Sequence, residues 1–210
     1  MKLYTLPGAP NPTKIMLYIA EKEALGATLG IEQIVVNVFK GEHKQADHLA
    51  RNPFGTMPVL ELDDGSFVYE SGAIWPTLED LHPEPGMLGE TPEARAMARN
   101  LERVADARVL QPSGMYVHAV NSPLGLEPDE AAAKRGKAGF ESGLAVINDL
   151  LSDGRPFLAG ARVTVADCTL QGALQFMRFR ELEDLSQFPN VAAWSEAYRD
   201  RDTARQVLIF

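Results

Sequence analysis

The stretch at residues 52–71, NPFGTMPVLELDDGSFVYES, combines backbone and side-chain groups that could bind an extended ligand. Pro58 stands between a loop and a short apolar run, where a proline is a candidate for a cis peptide bond. A cis bond would turn the backbone N–H and C=O of Met57 outward, free to pair with a ligand as another strand would. Glu70 and Ser71 stand at a predicted helix start, where Ser71 is a good N-cap and backbone N–H groups attract a carboxylate.

The elements that would position these groups follow from apolar runs separated by turn residues. Asp64-Gly65 lies between two such runs and favours a β-hairpin. A strand, a helix and a second strand upstream predict a parallel crossover. The predicted elements are strands at 2–6 and 34–38, a helix at 11–23, an irregular or short helical segment at 40–50, the hairpin, and a helix at 71–81. Their order is β-α-β-α-β-β-α.

The pattern changes after residues 82–86, HPEPG, which cannot continue a helix and indicate a domain boundary. Long helices are predicted beyond it: one after Thr91-Pro92, one at 129–151 and one at 164–180. Thr164 and Asp167 stand three apart at the start of the last helix, close to a capping box. We expect Asp167 to stabilise the fold rather than to take part in chemistry.

Composition excludes several classes of partner. The 210 residues carry a net charge of −9, which argues against a nucleic-acid surface or an acidic membrane. Cys168 is the single cysteine, so no intrachain disulfide can form and a reducing compartment is compatible. The N-terminus breaks into prolines too early for a signal peptide, and no run reaches the roughly 18 apolar residues of a membrane span. A cytoplasmic protein without a metal is predicted, and Cys168 is expected to be buried and inert.

Four motifs in order resemble the cytosolic glutathione transferase family: KGEHK at 40–44, NPFGTMPVLELDDG at 52–65, ESGAI at 70–74 and VTVADC at 163–168. The family combines an α/β thioredoxin-like domain, which has a cis-proline after the position of Met57, with an all-α C-terminal domain. The resemblance implies a glutathione-binding domain at 1–82, a linker at 83–89 and a helical domain at 90–210 that supplies the electrophile pocket. It also implies a homodimer.

The resemblance further implies roles in binding glutathione, the cosubstrate. Met57 would pair through its backbone with the cysteinyl part, and Glu70 with Ser71 would hold the γ-glutamyl end. His43 and Lys44 of KGEHK, together with Thr56, would lie near the glycyl carboxylate. The implied glutathione-binding residues are His43, Lys44, Thr56, Met57, Pro58, Glu70 and Ser71.

The chemistry of the family requires activation of a thiol. A cysteine thiol has a pKa of about 8.5, and the thiolate is the nucleophile. Lowering that pKa by about two units needs roughly 2.7 kcal/mol. The usual Tyr, Ser or Cys donor is missing, because Pro10 falls at the Ser or Cys position. Asn11 could donate its amide N–H instead or serve only as the N-cap before Pro12, and Thr13 and Tyr4 are further candidates.

A second candidate for thiol activation lies in MYVHAVNS, residues 115–122. This stretch resembles bacterial and fungal members of the family that lack the usual donor, and the fungal branch uses a helix histidine and a serine to hold a deprotonating water. His118 titrates near neutrality and could accept a proton through water. It could equally be a partly exposed histidine at a helix end, and Ser122 could be only a turn residue.

The electrophile pocket is the least defined part of the prediction. Met115 and Tyr116 are assigned to it, and Met177 and Phe210 are further candidates that core packing explains as well. Arg108 could contact the second substrate or form a salt bridge.

The sequence therefore predicts a glutathione transferase that activates the glutathione thiolate for attack on small apolar electrophiles. Two alternatives stay open. One is a noncatalytic glutathione-binding module, and the other is a glutathione-dependent etherase, isomerase or peroxidase on the same fold. The absence of a cysteine at the first turn argues against thiol–disulfide exchange.

Overall fold

The computed structural model describes residues 1–209, and its first half is a small mixed sheet with flanking helices. The elements are β1 (Lys2–Thr5), α1 (Pro10–Ala24), β2 (Glu32–Val35), α2 (Ala46–Arg51), β3 (Val59–Glu61), β4 (Phe67–Tyr69) and α3 (Ser71–Leu81). The sheet has the order β2-β1-β3-β4, with β1 and β2 parallel and the other two pairs antiparallel. This arrangement confirms the predicted thioredoxin-like fold class and the hairpin.

The second half is helical. Its elements are α4 (Pro92–Ala105), a π-helical turn (Asp106–Leu110), α5 (Gln111–Asn121), α6 (Glu130–Leu150), α7 (Val165–Phe179), α8 (Pro189–Arg199) and α9 (Asp202–Val207). The π-helical turn joins α4 to α5 without a break, so residues 115–121 continue the first long helix and Ser122 follows its last residue. None of the helices within residues 1–209 is long and apolar enough to cross a membrane.

The predicted boundaries of the second strand are wrong. The prediction was 34–38, whereas β2 spans Glu32–Val35 and pairs in register with the four residues of β1. Asn37 ends the extended chain, because its Oδ1 accepts a 3.0 Å hydrogen bond from the Lys40 N–H and begins a 3-10 turn. The β-branched run continues past the strand, but its partner strand and this local turn set the strand length.

Two predicted N-caps are also wrong. Helix α1 begins at Pro10 with Ala9 as its N-cap, and α3 begins at Ser71 with Glu70 as its N-cap. Asn11 and Ser71 are therefore inside the first turns of their helices. Their side chains bond to each other instead, since Ser71 Oγ donates a 2.8 Å hydrogen bond to Asn11 Oδ1. A contact between two helices has replaced both local caps.

Helix α7 is the central element of the helical half, with every residue buried from Val165 to Met177. The predicted capping box is present at its start. Asp167 accepts hydrogen bonds of 2.8 Å from the N–H groups of Thr164 and Leu158. Cys168 has no exposed surface, and burial raises the pKa of its thiol. This placement agrees with the structural roles expected for Asp167 and Cys168.

Helix α6 packs on the π-helical turn at backbone distance. A Cβ built on Gly143 would overlap the carbonyl oxygen of Arg108 and would lie 2.9 Å from Cγ2 of Val109. A Cβ on Gly136, two turns earlier, would lie 2.7 Å from the backbone nitrogen of Tyr116. These contacts leave no room for a side chain, so glycine is required where α6 meets the π-helical turn and where it meets α5.

A buried ion pair joins the two halves. The Lys14 side chain on α1 has no exposed surface, and its Nζ contacts Glu102 at 3.0 Å and Asp106 at 2.8 Å. Burial alone would raise the pKa of Asp106, but the charge and hydrogen bond of Lys14, the hydrogen bond from Gln111 and the charge of Arg103 together outweigh burial, so the pKa is lowered. Among residues 1–209 both ion-pair partners of Lys14 are thus carboxylates of the other half, which balance its charge.

Helix α7 touches the start of α1 through a glycine. A Cβ on Gly172 would lie 2.8 Å from the carbonyl oxygen of Pro10 and 3.3 Å from the backbone nitrogen of Lys14. The two helix backbones are therefore in direct contact where α1 begins.

Replacing Gly172 with alanine is expected to destabilise the fold by about 1–3 kcal/mol, because the new methyl group overlaps the Pro10 carbonyl. Gly114→Ala in α5 is the matched control, since a Cβ there meets no atom within 4 Å. Alanine favours a helix over glycine by roughly 0.5–1 kcal/mol, so this control should be neutral or stabilising. Urea unfolding of both variants measures the difference. A Gly172→Ala protein as stable as the wild type would contradict the close approach.

Candidate active site

The start of α1 offers few hydrogen-bond donors. Pro10 and Pro12 occupy the first and third helical positions and lack an N–H, which leaves Asn11 between them as the single backbone donor there. Within residues 1–209 no group accepts from the Asn11 N–H. A ligand atom at this helix start would therefore meet one backbone donor, that of Asn11.

The Asn11 side chain is oriented by Ser71. Because Asn11 Oδ1 accepts from the Ser71 hydroxyl at 2.8 Å, the amide nitrogen Nδ2 is turned away from Ser71. Ser71 is 6% exposed, and Asn11 is half-buried. The contact joins the first turn of α1 to the first turn of α3, although the two residues are 60 positions apart.

The start of α3 has an unusual backbone. Glu70 has φ of 77° and ψ of 114°, a conformation that costs a residue with a side chain about 1–3 kcal/mol. The Glu70 carbonyl accepts from Ala73 and Ile74, and among residues 1–209 the N–H groups of Ser71 and Gly72 have no partner. The carboxylate of Glu70 is exposed beside them. This helix start can therefore bind a group that carries both a carboxylate and an ammonium.

The loop before β3 is held by a buried asparagine. Asn52 has no exposed surface, and its Nδ2 donates to the carbonyl oxygen of Thr56 at 3.0 Å and to the Thr56 hydroxyl at 2.9 Å. His48 Nε2 lies 3.2 Å from the same carbonyl. The Met57-Pro58 peptide bond is cis. Within the described part of the chain the backbone N–H and C=O of Met57 have no partner, so an extended ligand can pair with them.

His43 and Lys44 lie in a 3-10 turn that packs against this loop. A Cβ on Gly55 would lie 3.0 Å from the His43 carbonyl oxygen. Burial lowers the pKa of His43, and the charges of Lys44 and His48 lower it further. His43 is therefore neutral near pH 7 and can contribute a hydrogen bond, while the exposed Lys44 contributes the positive charge.

His118 and Ser122 form a pair at the end of α5. The His118 Nδ1 atom lies 2.9 Å from Ser122 Oγ, which is hydrogen-bond distance. The imidazole ring packs against Phe176 of α7 with 5.7 Å between ring centroids. Burial lowers the pKa of His118, so its ring is neutral at neutral pH and can accept a proton.

Contacts along α7 relate this pair to the start of α1. Gly172 touches the Pro10 carbonyl, and Phe176, one helical turn of about 5.4 Å further along, contacts His118. The spacing of Gln111, Met115 and His118 places them on one face of α5. Gln111 donates to Asp106, which binds Lys14 of α1, so this face is directed towards α1.

The other predicted pocket residues have different surroundings. Met115 is 47% exposed on the face that carries His118, whereas Met177 is 1% exposed in the core. The backbone of Tyr116 lies against Gly136 of α6. Arg108 is exposed in the π-helical turn and forms no ion pair with a residue in 1–209. Phe210 lies outside the described residues.

Tyr4 and Thr13 are already engaged elsewhere. The Tyr4 hydroxyl donates to Glu61 at 2.6 Å, and burial together with this bond raises the pKa of Tyr4. The Thr13 hydroxyl accepts from Gln175 Nε2 at 2.9 Å and is 1% exposed. Asn11 is therefore the candidate donor at the start of α1 whose N–H groups have no acceptor in the part of the chain that the structure describes.

Some residues that shape the site were not predicted. Asn52 and His48 hold the loop at Thr56, and Phe176 packs against His118. No motif in the sequence marks these three residues, because their partners are set by the fold. Within residues 1–209 no group of three or more His, Cys, Asp and Glu side chains is placed to hold a metal ion.

Comparison with known proteins finds similarity over both halves. A family model described as glutathione S-transferase, N-terminal domain, matches residues 10–81, and one described as glutathione S-transferase, C-terminal domain, matches residues 130–197. Glutathione S-transferase 3 of Zea mays is 30% identical over 96% of this chain and 90% of that protein. Two solved structures are similar along their whole length. Gtt2 of Saccharomyces cerevisiae is 29% identical with a TM-score of 0.87, covering 99% of this chain and 100% of that one. A glutathione S-transferase domain-containing protein of Marinobacter aquaeolei VT8 is 32% identical with a TM-score of 0.86, covering 97% and 100%.

Proposed function

Because the chain belongs to the glutathione S-transferase family, we propose that it binds glutathione and activates its thiol for attack on small apolar electrophiles. The observation that carries the proposal is the 2.8 Å hydrogen bond from Ser71 Oγ to Asn11 Oδ1. It joins the free N–H groups at the start of α3 to the free N–H groups of Asn11. One ligand can therefore use a carboxylate-binding helix start and a thiolate-binding donor together.

The free groups of the site match those of glutathione. Glu70 can accept from the γ-glutamyl ammonium, and the first two N–H groups of α3 can donate to the neighbouring carboxylate. The backbone of Met57 can pair with the cysteinyl part. Lys44 carries the charge for the glycyl carboxylate, and His43 adds a hydrogen bond. Thr56 acts indirectly, since its hydroxyl and carbonyl are bound by Asn52 and hold the loop before Pro58.

Asn11 would stabilise the thiolate. Neither its Nδ2 nor its backbone N–H has an acceptor among residues 1–209. Hydrogen bonds to a charged group contribute about 1.5–3 kcal/mol each. Lowering a thiol pKa by two units needs roughly 2.7 kcal/mol, so these two donors are sufficient in magnitude. The prolines on either side exclude further backbone donors at this helix start.

His118 would accept the thiol proton through a water molecule. When Nδ1–H donates to the Ser122 hydroxyl, Nε2 keeps a free lone pair, and the lowered pKa keeps the ring neutral before transfer. Glutathione supplies the nucleophilic sulfur when bound. The electrophile would lie against the α5 face that carries Met115, with Tyr116 beside it.

A noncatalytic glutathione-binding module is the second candidate, because Pro10 and Pro12 remove two of the donors that a helix start usually offers. Both candidates predict glutathione binding, but only the enzyme predicts a lowered thiol pKa and transfer to an electrophile.

We further propose a cytoplasmic protein with domains at 1–82 and 90–210 joined by a linker at 83–89.

Asn11→Ala is expected to raise the pKa of bound glutathione by about one unit or more and to lower turnover about tenfold or more, because the thiolate loses a charge-assisted hydrogen bond. Ultraviolet absorbance of the bound thiolate against pH measures the first effect, and transfer to an activated aryl chloride measures the second. Asn100→Ala, an exposed position on α4, is the matched control. An unchanged thiol pKa in Asn11→Ala would refute this role of Asn11. A bound thiol with the pKa of free glutathione in the wild type would favour the noncatalytic module.

Lys44→Ala and His43→Ala are expected to weaken glutathione binding about three- to tenfold, because the glycyl carboxylate loses its charge or hydrogen bond. γ-Glutamylcysteine, which lacks the glycyl residue, provides the control ligand. Its affinity should be the same for the wild type and both variants in calorimetric titrations. Equal losses for the two ligands would show that these residues act elsewhere.

We propose a homodimer, as the family resemblance implies. Light scattering is expected to give a mass near twice the 23.0 kDa of the chain. A mass that stays at 23.0 kDa over a wide concentration range would contradict the dimer.

A further inference from the structure

The C-terminal end of α5 is held by a side chain from α7. Helix α5 ends at Asn121, and Ser122 turns out of the helix with ψ of 126°. Arg180 Nε donates a 2.8 Å hydrogen bond to the Asn121 carbonyl oxygen, and Arg180 Nη2 donates to Asn121 Oδ1. The last carbonyl groups of a helix lack partners within the helix, so Arg180 satisfies one of them from outside.

This contact bears on the His118-Ser122 pair. Ser122 follows Asn121 directly, and its Oγ lies 2.9 Å from His118 Nδ1. The carbonyl that Arg180 binds belongs to the peptide group that joins Asn121 to Ser122. Fixing that peptide group limits the directions in which the Ser122 side chain can point, and hence the direction of its hydrogen bond to the imidazole.

Arg180 stands at the end of a buried helix. It is the C-cap of α7, where its own N–H donates to the Met177 carbonyl oxygen at 3.2 Å. The helix before it is buried as far as Met177. Phe176, on the same helix, packs against the His118 ring. Helix α7 therefore contacts His118 directly through Phe176 and indirectly through Arg180, Asn121 and Ser122.

The shape of the guanidinium accounts for the choice of arginine. Its two donors reach two oxygens of a single residue, which fixes a direction as well as a distance. In residues 1–209 Arg180 forms no ion pair, and both acceptors are neutral amide oxygens. A lysine has one donor centre and cannot reproduce this paired geometry.

We propose that Arg180 is a positioning residue that fixes Ser122 against His118 and so directs the imidazole for acceptance of the thiol proton. The inference rests on the proposed function, because it needs His118 to accept that proton. Arg180 touches neither glutathione nor the electrophile in this arrangement. Its loss should therefore lower kcat and leave glutathione affinity unchanged.

The test is a double-mutant cycle in the full-length protein. Arg180→Met, which keeps much of the side-chain length but removes the donors, is compared with His118→Gln and with the double variant. Arg135→Met, at an exposed position of α6, is the matched control. The measurements are the dissociation constant of glutathione by calorimetry and kcat with an activated aryl chloride at saturating glutathione. In that reaction the C–S bond forms, chloride leaves, and the thiol proton passes to His118.

We expect Arg180→Met to lower kcat about tenfold with less than a twofold change in glutathione affinity, and to cause no further loss in the His118→Gln background. Arg180→Lys should recover only part of the activity. The inference would be overturned if Arg180→Met still lowered kcat tenfold in the His118→Gln background. It would also be overturned if Arg180→Met had the wild-type kcat while His118→Gln had a lower one. These two results leave the proposed function standing. A fully active His118→Gln protein would refute the proton-accepting role of His118 and the inference with it.

Discussion

The arrangement of the site depends on one buried charge. Lys14 of α1 is enclosed between the two halves, and Glu102 and Asp106 of the helical half are its ion-pair partners. A lysine without these carboxylates would be an uncompensated charge in the interior, which costs several kcal/mol. These two ion pairs therefore fix both the rotation of α1 about its axis and its position along that axis. Asn11, one turn earlier on the same helix, is placed by that constraint as much as by its own contacts.

In the proposed function, thiol activation and ligand binding share the same few groups. Two prolines leave the start of α1 poor in donors, and the amide of Asn11 is aimed by the hydroxyl of Ser71 at the start of α3. The residue that orients the donor thus belongs to the helix start that can receive the γ-glutamyl end. A helix start with more backbone donors would depend less on such a contact. In the proposed function the proton acceptor, His118, belongs to the helical half, so both halves would be needed for the chemistry.

Features that depend on neighbours in sequence could be predicted. The hairpin around Asp64-Gly65 and the start of α7 at Thr164 follow from local patterns, and both are present. The N-cap assigned to Asn11 was wrong, because its partner is Ser71, 60 positions away. Helices α8 and α9 were not predicted. The contact of Arg180 with Asn121 likewise joins residues 59 positions apart, and no local pattern indicates it. The motifs indicate which groups could form a site, whereas tertiary contacts decide how those groups are oriented.

The π-helical turn at Asp106–Leu110 has a consequence for how such a site can change over time. A π-helical turn contains one residue more than an α-helical turn, and each added residue rotates everything beyond it by about 100° around the helix axis. Gly143 of α6 leaves room for this turn. Glu102 of α4 binds Lys14, and His118 lies further along the same continuous helix on α5. The angle between these two residues around the helix axis therefore depends on the one extra residue of the π-helical turn. Loss of that residue would turn His118 by about 100° around the helix axis while leaving every side chain intact, so a one-residue deletion here would displace the histidine without any substitution in the site.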